Sequence, residues 1–216
     1  MKGVGKRYSL PLHAGCVAMF YNPDIFKAEG ITAPPKTWAE LREVARKVTK
    51  PEKNQFAFTA TLATEPPTNM TYDIYPLMFQ AGAKIVDDNN KPVFNSPEGV
   101  KALEFYKDMM QKDKSSVPGI LQNGEKEKRG NFAAGNIAMM FEGPWGVAIQ
   151  KKLNPNKDFE IATLPWGATN GTVVRGSLFA IPSSTASDAK KLDGAWRLVP
   201  RTRPLRLCLS SRKTNT

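Results

Sequence analysis

Histidine and cysteine are nearly missing from this chain of 216 residues: there is one histidine, His13, and two cysteines, Cys16 and Cys208. With no Cys-x-x-Cys pair and no His/Cys cluster, the usual ligands of a zinc site are lacking, so no metal site and no cofactor are expected. Two cysteines this far apart say nothing about redox compartment. Cys16 lies in an apolar run and reads as a small buried hydrophobe. The single histidine also limits acid–base chemistry: no serine sits in a Gly-x-Ser-x-Gly elbow, and only His13 is available as an imidazole base. The glycine-rich stretch at 167–176 lacks the Gly-Lys-Ser/Thr ending of a phosphate-cradling loop. Asp87 and Asp88 are adjacent carboxylates, but they fall in a turn-forming sequence, Asp87-Asp88-Asn89-Asn90, and read as solvated turn acids. No catalytic residue is named and no enzyme is expected.

Long apolar runs are absent too. Nothing approaches the roughly 20 residues needed to cross a bilayer, and the run at 16–21 suits a buried strand. Residues 1–8 are basic but lead into no apolar segment, so no signal peptide is read. Either the protein is cytoplasmic or its true start lies upstream.

Acidic residues are missing from one place in particular. The net charge is +11, yet residues 197–216 carry six cations (Arg197, Arg201, Arg203, Arg206, Arg212, Lys213) and no acid. The remaining residues hold 25 cations against 20 acids. A basic excess can mark a nucleic-acid binder, but here more than half of it sits in a terminal segment, and the body is only mildly basic. No nucleic-acid partner is therefore expected. A basic nucleic-acid-binding protein remains the alternative of another class, with steep salt dependence as its signature.

What is present is an ordinary globular composition, 41% hydrophobic and 9% aromatic, enough for one core or two small ones. Strands are predicted at 8–11, 16–21, 56–60, 137–141, 161–164 and 178–181, with a hairpin at 83–86 and 92–94. Helices are predicted at 25–29, 38–50, 72–80, 97–112, 130–134, 145–152 and 188–198. Two helix starts have clear capping signals. Thr37-Trp38-Ala39-Glu40 is a capping box, followed by Trp38, Leu41, Val44, Ala45 and Val48 on one face. Ser96-Pro97-Glu98 offers a cap, a proline at the first position and a first-turn acid. Val100, Leu103, Tyr106, Lys107 and Met110 then form the predicted stripe. Strands alternate with helices, so the fold class is α/β.

Aromatic residues beside polar loops are the candidate binding set. Trp145 follows Glu142-Gly143-Pro144 at a strand-to-helix junction, where α/β sheets place ligands. Its flat ring can stack on the C–H face of a sugar, nearby carboxylates and amides can pair with hydroxyls, and the helix start offers N–H groups. The competing reading is a core tryptophan sealing the helix on the sheet. Tyr72 and Tyr75 share one side of a helix start and fit equally a core stripe with Met78 and Phe79. Arg175 is either a cleft residue or a solvated loop arginine. His13 reads first as a polar loop residue, and Trp38 as helix packing.

The ordered motifs carry a resemblance. Tyr21-Asn22-Pro23-Asp24-Ile25-Phe26, Gly30-Ile31, and Pro34-Pro35-Lys36-Thr37-Trp38-Ala39-Glu40-Leu41 come first. Phe94-Asn95-Ser96-Pro97-Glu98, Phe132-Ala133-Ala134-Gly135-Asn136-Ile137-Ala138-Met139-Met140, Gly143-Pro144-Trp145, Leu164-Pro165 and Ala180-Ile181-Pro182 follow in order. Over about residues 5–199 this resembles the family 1 extracellular solute-binding proteins, which include maltose- and oligosaccharide-binding members. The resemblance implies a two-lobed fold of the type II periplasmic-binding kind, closing on a ligand. This chain would supply mainly the second lobe and the hinge segments, with the first lobe and its signal peptide largely missing.

The implied function is the substrate-binding component of an ABC importer. It would capture a sugar or oligosaccharide in the periplasm or on the extracellular face and hand it to the membrane permease. The implied parent is monomeric. A polyamine or other small-solute binder is the alternative within the class, but such a site wants several carboxylates, and only Glu65 and Glu142 are candidates. Residue by residue, Trp145 matches the family tryptophan that stacks on sugar, with Gly143 in the same motif. Tyr72 and Tyr75 match aromatic positions, and Glu65 a nearby carboxylate. Arg175 ends a loop that lines the cleft. Gly15 stands where some members have an acidic contact, and His13 is near enough to substitute. Residues 1–199 are thus expected to be a partial solute-binding domain. At Pro200 the family's apolar helix gives way to the basic segment 200–216, which points to a shifted reading frame or a real basic tail.

Overall fold

In the computed structural model, which describes residues 10–63, 70–185 and 187–201, the chain divides into two units. One is formed by residues 16–173 and the other by residues 1–15 with 174–216.

The larger unit is built on a four-stranded mixed sheet. Its order is β3 (Phe56–Thr59), β4 (Ile137–Glu142), β2 (Ala18–Tyr21), β5 (Glu160–Ala162). β3 runs parallel to β4, while β2 is antiparallel to both β4 and β5. Every residue of β3 and β4 is buried. Such strands are covered on both faces and read as continuous apolar runs rather than alternating ones, as expected of the buried strand at 137–141, whereas the weak alternation of 56–60 gives no sign that every residue of β3 is buried. The last residue of β4, Glu142, is a buried acid.

Helices cover this sheet: α1 (Pro23–Ala28), α2 (Trp38–Val48), α3 (Thr71–Ala81), α4 (Pro97–Lys107), α5 (Glu125–Ala133) and α6 (Trp145–Leu153). Asn22, expected in a turn, is the cap of α1, its side-chain oxygen accepting from the Asp24 and Ile25 N–H groups. Thr37 caps α2 by accepting from Glu40 N–H at 3.2 Å, but the Glu40 carboxylate reaches back to Lys36 N–H rather than to the cap residue. Trp38, Leu41, Ala45 and Val48 are buried along the predicted face. Ser96 caps α4 through Gly99 N–H at 3.2 Å.

The stripe expected on α4 is rotated. Gly99, Ala102 and Tyr106 are buried, whereas Val100 and Leu103 are 43% and 49% exposed. The small residues let α4 press onto α3, with the Gly99 position close against Met78 and the Phe94 carbonyl. α4 ends at Lys107 and continues as a π turn, Asp108–Lys112. The expected hairpin at 83–94 is reduced to one bridge, Val86 to Pro92, with Val93 N–H donating to Ile85 C=O.

In the smaller unit, β1 (Leu10–Cys16) pairs with β6 (Val174–Phe179), and α7 (Ala189–Arg201) follows. β1 takes in His13, Ala14 and Gly15, which were expected between strands. Cys16 is exposed rather than buried. β6 starts at Val174, earlier than the predicted 178, and α7 runs through Pro200 instead of stopping before it. Most of the atypical segment 200–216 lies outside the described residues. Among the described residues no helix is long and apolar enough to cross a membrane.

Candidate functional site

The junction from β4 to α6 is two residues long, Gly143-Pro144, and the first helical residue is Trp145. The Trp145 indole folds back over Gly143. A Cβ at position 143 would lie 2.2, 2.3 and 2.5 Å from three ring carbons, so only glycine fits beneath the ring. Gly146 is constrained in the same way from the other side, since its Cβ would fall 2.3 Å from Glu142 Cγ. The glycines of Gly143-Pro144-Trp145-Gly146 therefore make room for two side chains, one on each flank.

Trp145 is half-buried, and its ring meets that of Tyr72 on α3, with centroids 5.2 Å apart and planes tilted by 56°. Tyr72 itself is buried. The result is a partly exposed aromatic face at the carboxyl end of β4, backed by a second ring. Tilted and edge-on packing of this kind is the favoured arrangement of aromatic pairs. Such a face can cover the C–H side of a sugar ring. The helix start contributes less than expected: Gly146 and Val147 N–H groups already donate to the Gly143 and Pro144 carbonyls.

Glu142, expected as a pocket acid, is instead a buried ion-pair partner. One of its oxygens accepts from Arg129 Nε at 2.8 Å and the other from Gly143 N–H at 3.0 Å. Arg129 also bonds Glu125 at 2.9 Å. Burial would raise the Glu142 pKa, but the Lys128 and Arg129 charges and the Gly143 N–H outweigh it and hold the carboxyl below its ordinary value. A second pair lies next to Tyr72. The Lys128 ammonium sits 3.1 and 2.9 Å from the two oxygens of Asp73, one of which also accepts from Thr61 N–H at 3.0 Å. Burial pushes the Asp73 carboxyl up, against the pull of Lys128.

The structure thus brings together Trp145, Gly143, Glu142 and Tyr72. Tyr75, one turn along α3, is half-buried and packs edge-on to Phe79 at 6.2 Å, not to Trp145. His13 and Arg175 are exposed on β1 and β6 of the smaller unit, and Arg175 belongs to a strand rather than to a loop end. Glu65 lies outside the described residues. Trp38 is core, stacked on Phe105 at 4.5 Å. Sequence reasoning missed Asp73, Lys128 and Arg129. The available signal was a lone acid between Tyr72 and Ile74 on an apolar helix face, since such an acid needs a buried cation. Among the described residues no group of three or more His, Cys, Asp or Glu side chains is arranged to hold a metal ion.

Comparison with known proteins places this geometry. The family model of the bacterial extracellular solute-binding proteins matches residues 1–199, and the chain belongs to that family. Members bind solutes as a class, and the family name gives an extracellular location. Among curated relatives, the mannitol-binding protein of Pseudomonas aeruginosa is 27% identical over 89% of this chain and 45% of its own length. An ABC transporter solute-binding protein of Thermotoga lettingae, solved with α-D-tagatose, is 32% identical with a TM-score of 0.77, covering 91% of this chain and 50% of that one. Another from Agrobacterium radiobacter, solved with ribitol, is 28% identical with a TM-score of 0.75, covering 92% and 49%. The fold is thus the α/β periplasmic-binding type expected, and the chain spans about half the length of the proteins it matches.

Proposed function

We propose that this chain forms part of the substrate-binding component of an ABC importer. It captures a sugar, sugar alcohol or short oligosaccharide in the periplasm or at the extracellular face of the membrane and delivers it to the membrane permease. The observation that carries this reading is the half-buried Trp145 ring, seated on Gly143 and backed by Tyr72 at the end of β4. An aromatic plate of this kind suits the alternating C–H and O–H faces of a carbohydrate. Kinship to proteins of mannitol, tagatose and ribitol supports the same substrate class. A polyamine reading loses ground because Glu142 already has its cation. Gly143 shapes the plate, and Tyr75, Arg175, His13 and Glu65 remain proposed contacts from the family resemblance.

Isothermal calorimetry against mannitol, ribitol, tagatose, maltose and longer oligosaccharides tests this. Binding of at least one is expected, weakened tenfold or more by Trp145→Ala, about 1.4 kcal/mol. Binding of none, or unchanged affinity in the variant, overturns the assignment.

A further inference from the structure

Two neighbouring cations on α5 reach in different directions. Lys128 grips Asp73 on α3, and Arg129 grips Glu142 at the end of β4. Asp73 directly follows Tyr72, and Glu142 precedes Gly143-Pro144-Trp145. The connections close into a circuit. It runs from Tyr72 to Asp73 along the chain and across an ion pair to Lys128. From there it passes to Arg129, across the second pair to Glu142, through two residues to Trp145, and back to Tyr72 by ring contact. No covalent link in the circuit exceeds three residues. The four charged side chains are all enclosed, with exposures of 1% for Asp73, 3% for Lys128, 2% for Glu142 and 14% for Arg129. α6, which carries Trp145, is itself tied to the same turn of α5 by Gln150 donating to the Arg129 carbonyl at 3.2 Å.

We propose that Lys128 and Arg129 are positioning residues for the Trp145–Tyr72 face, fixing the angle of the two rings and so the shape of ligand they accept. This rests on the ring pair being the ligand platform. The physical argument is one of economy. Buried ion pairs are weak contributors to stability, and apolar residues of similar volume often replace them without loss. Their better-attested use is to single out one arrangement among several. Here two such pairs diverge from one helix turn, one to the helix that carries Tyr72 and the other to the strand end three residues before Trp145. Each carboxylate also takes a backbone N–H, from Thr61 or Gly143, which removes its freedom to swing. Apolar packing alone is non-directional and leaves the tilt of α3 against α6 less defined.

The test labels the protein with 5-fluorotryptophan and follows its four tryptophan signals by fluorine NMR, with Trp145 assigned through Trp145→Phe. The variants are Lys128→Met, the apolar pair Asp73→Leu with Lys128→Met, and Arg129→Lys, which keeps the charge but loses the forked hydrogen bonds. The expected result is a shifted or broadened Trp145 signal in each folded variant, with the Trp38 signal in place, and at least tenfold weaker affinity for whichever of mannitol, tagatose or maltose the unmodified protein binds. Should the Lys128 variants not fold, Arg129→Lys gives the same readout. An unmoved Trp145 signal in a folded variant overturns the proposal. If the unmodified protein binds none of these probes, the carbohydrate reading fails, while the fluorine signal still decides whether the ion pairs hold the ring.

Discussion

The indole N–H of Trp38 donates to the side-chain oxygen of Gln80 at 2.8 Å, and the Gln80 amide donates in turn to the Gly171 carbonyl at 2.9 Å. Both side chains are buried. This relay ties α2, α3 and the loop that follows β5. Trp38→Phe keeps most of the ring packing but leaves the Gln80 oxygen unpaired. It should cost about 1–3 kcal/mol, the penalty of an orphaned buried acceptor, read as a lower midpoint in urea. A variant as stable as the parent would mean that water reaches Gln80.

Removing one charge of the Asp73–Lys128 pair should be far worse than removing both. Lys128→Met strands a buried carboxylate and should lower stability by about 3–5 kcal/mol, whereas the apolar double replacement should recover most of that loss. Thermal unfolding of the two variants side by side checks the difference. Equal losses would show that the pair is not electrostatically coupled.

Gly143→Ala puts a methyl group into the Trp145 ring. Overpacking of this kind costs about 1–3 kcal/mol. Because the obstacle is a half-buried side chain rather than backbone, the ring should move outward, and tryptophan fluorescence should shift to longer wavelength. Gly146→Ala meets Glu142 instead and should be at least as costly, since that side chain is held by Arg129.

Acid sensitivity should trace to Glu142 and not to Asp73. The folded pKa of Glu142 lies below its unfolded value of about 4.5, so the unfolded chain takes up the proton more readily. Its contribution is complete above about pH 4.5 and is lost as pH falls through the folded value. Asp73 is raised, so its contribution runs the other way, greatest in acid and declining as pH rises through its folded value. Stability measured between about pH 5 and 3 should therefore fall less steeply in Glu142→Gln than in the parent. Asp73→Asn should show no such flattening.

Much of the scaffold could be read from residues alone because the cues were local. Thr37 and Ser96 announced α2 and α4 by capping chemistry, and Gly143-Pro144-Trp145 located the β4–α6 junction. The misses share a cause. α5 was placed five residues late because its first turns, Glu125 to Arg129, carry no apolar periodicity; the residue that faces inward there is Lys128. β6 was placed late because its residues are exposed through Leu178, so no alternation marked them. The stripe on α4 was assigned to the large residues Val100 and Leu103, while close approach to α3 selects the small ones, Gly99 and Ala102. Within the site, the ring pair was legible as aromatic residues near a junction. The ion pairs behind it were not, since Asp73 and Lys128 are 55 residues apart and no spacing rule links them.

The strand order β3-β4-β2-β5 has a consequence for biosynthesis. β2 leaves the ribosome well ahead of both of its neighbours, since β4 and β5 come about 120 residues or more later. Until then the Met19 and Phe20 backbone lacks the strands it pairs with here, and Phe20 lacks the Ile137 and Met140 side chains of its own cluster. The nascent chain therefore passes through a long interval with an orphan strand, which makes segment 18–21 the place where a chaperone would be expected to hold on.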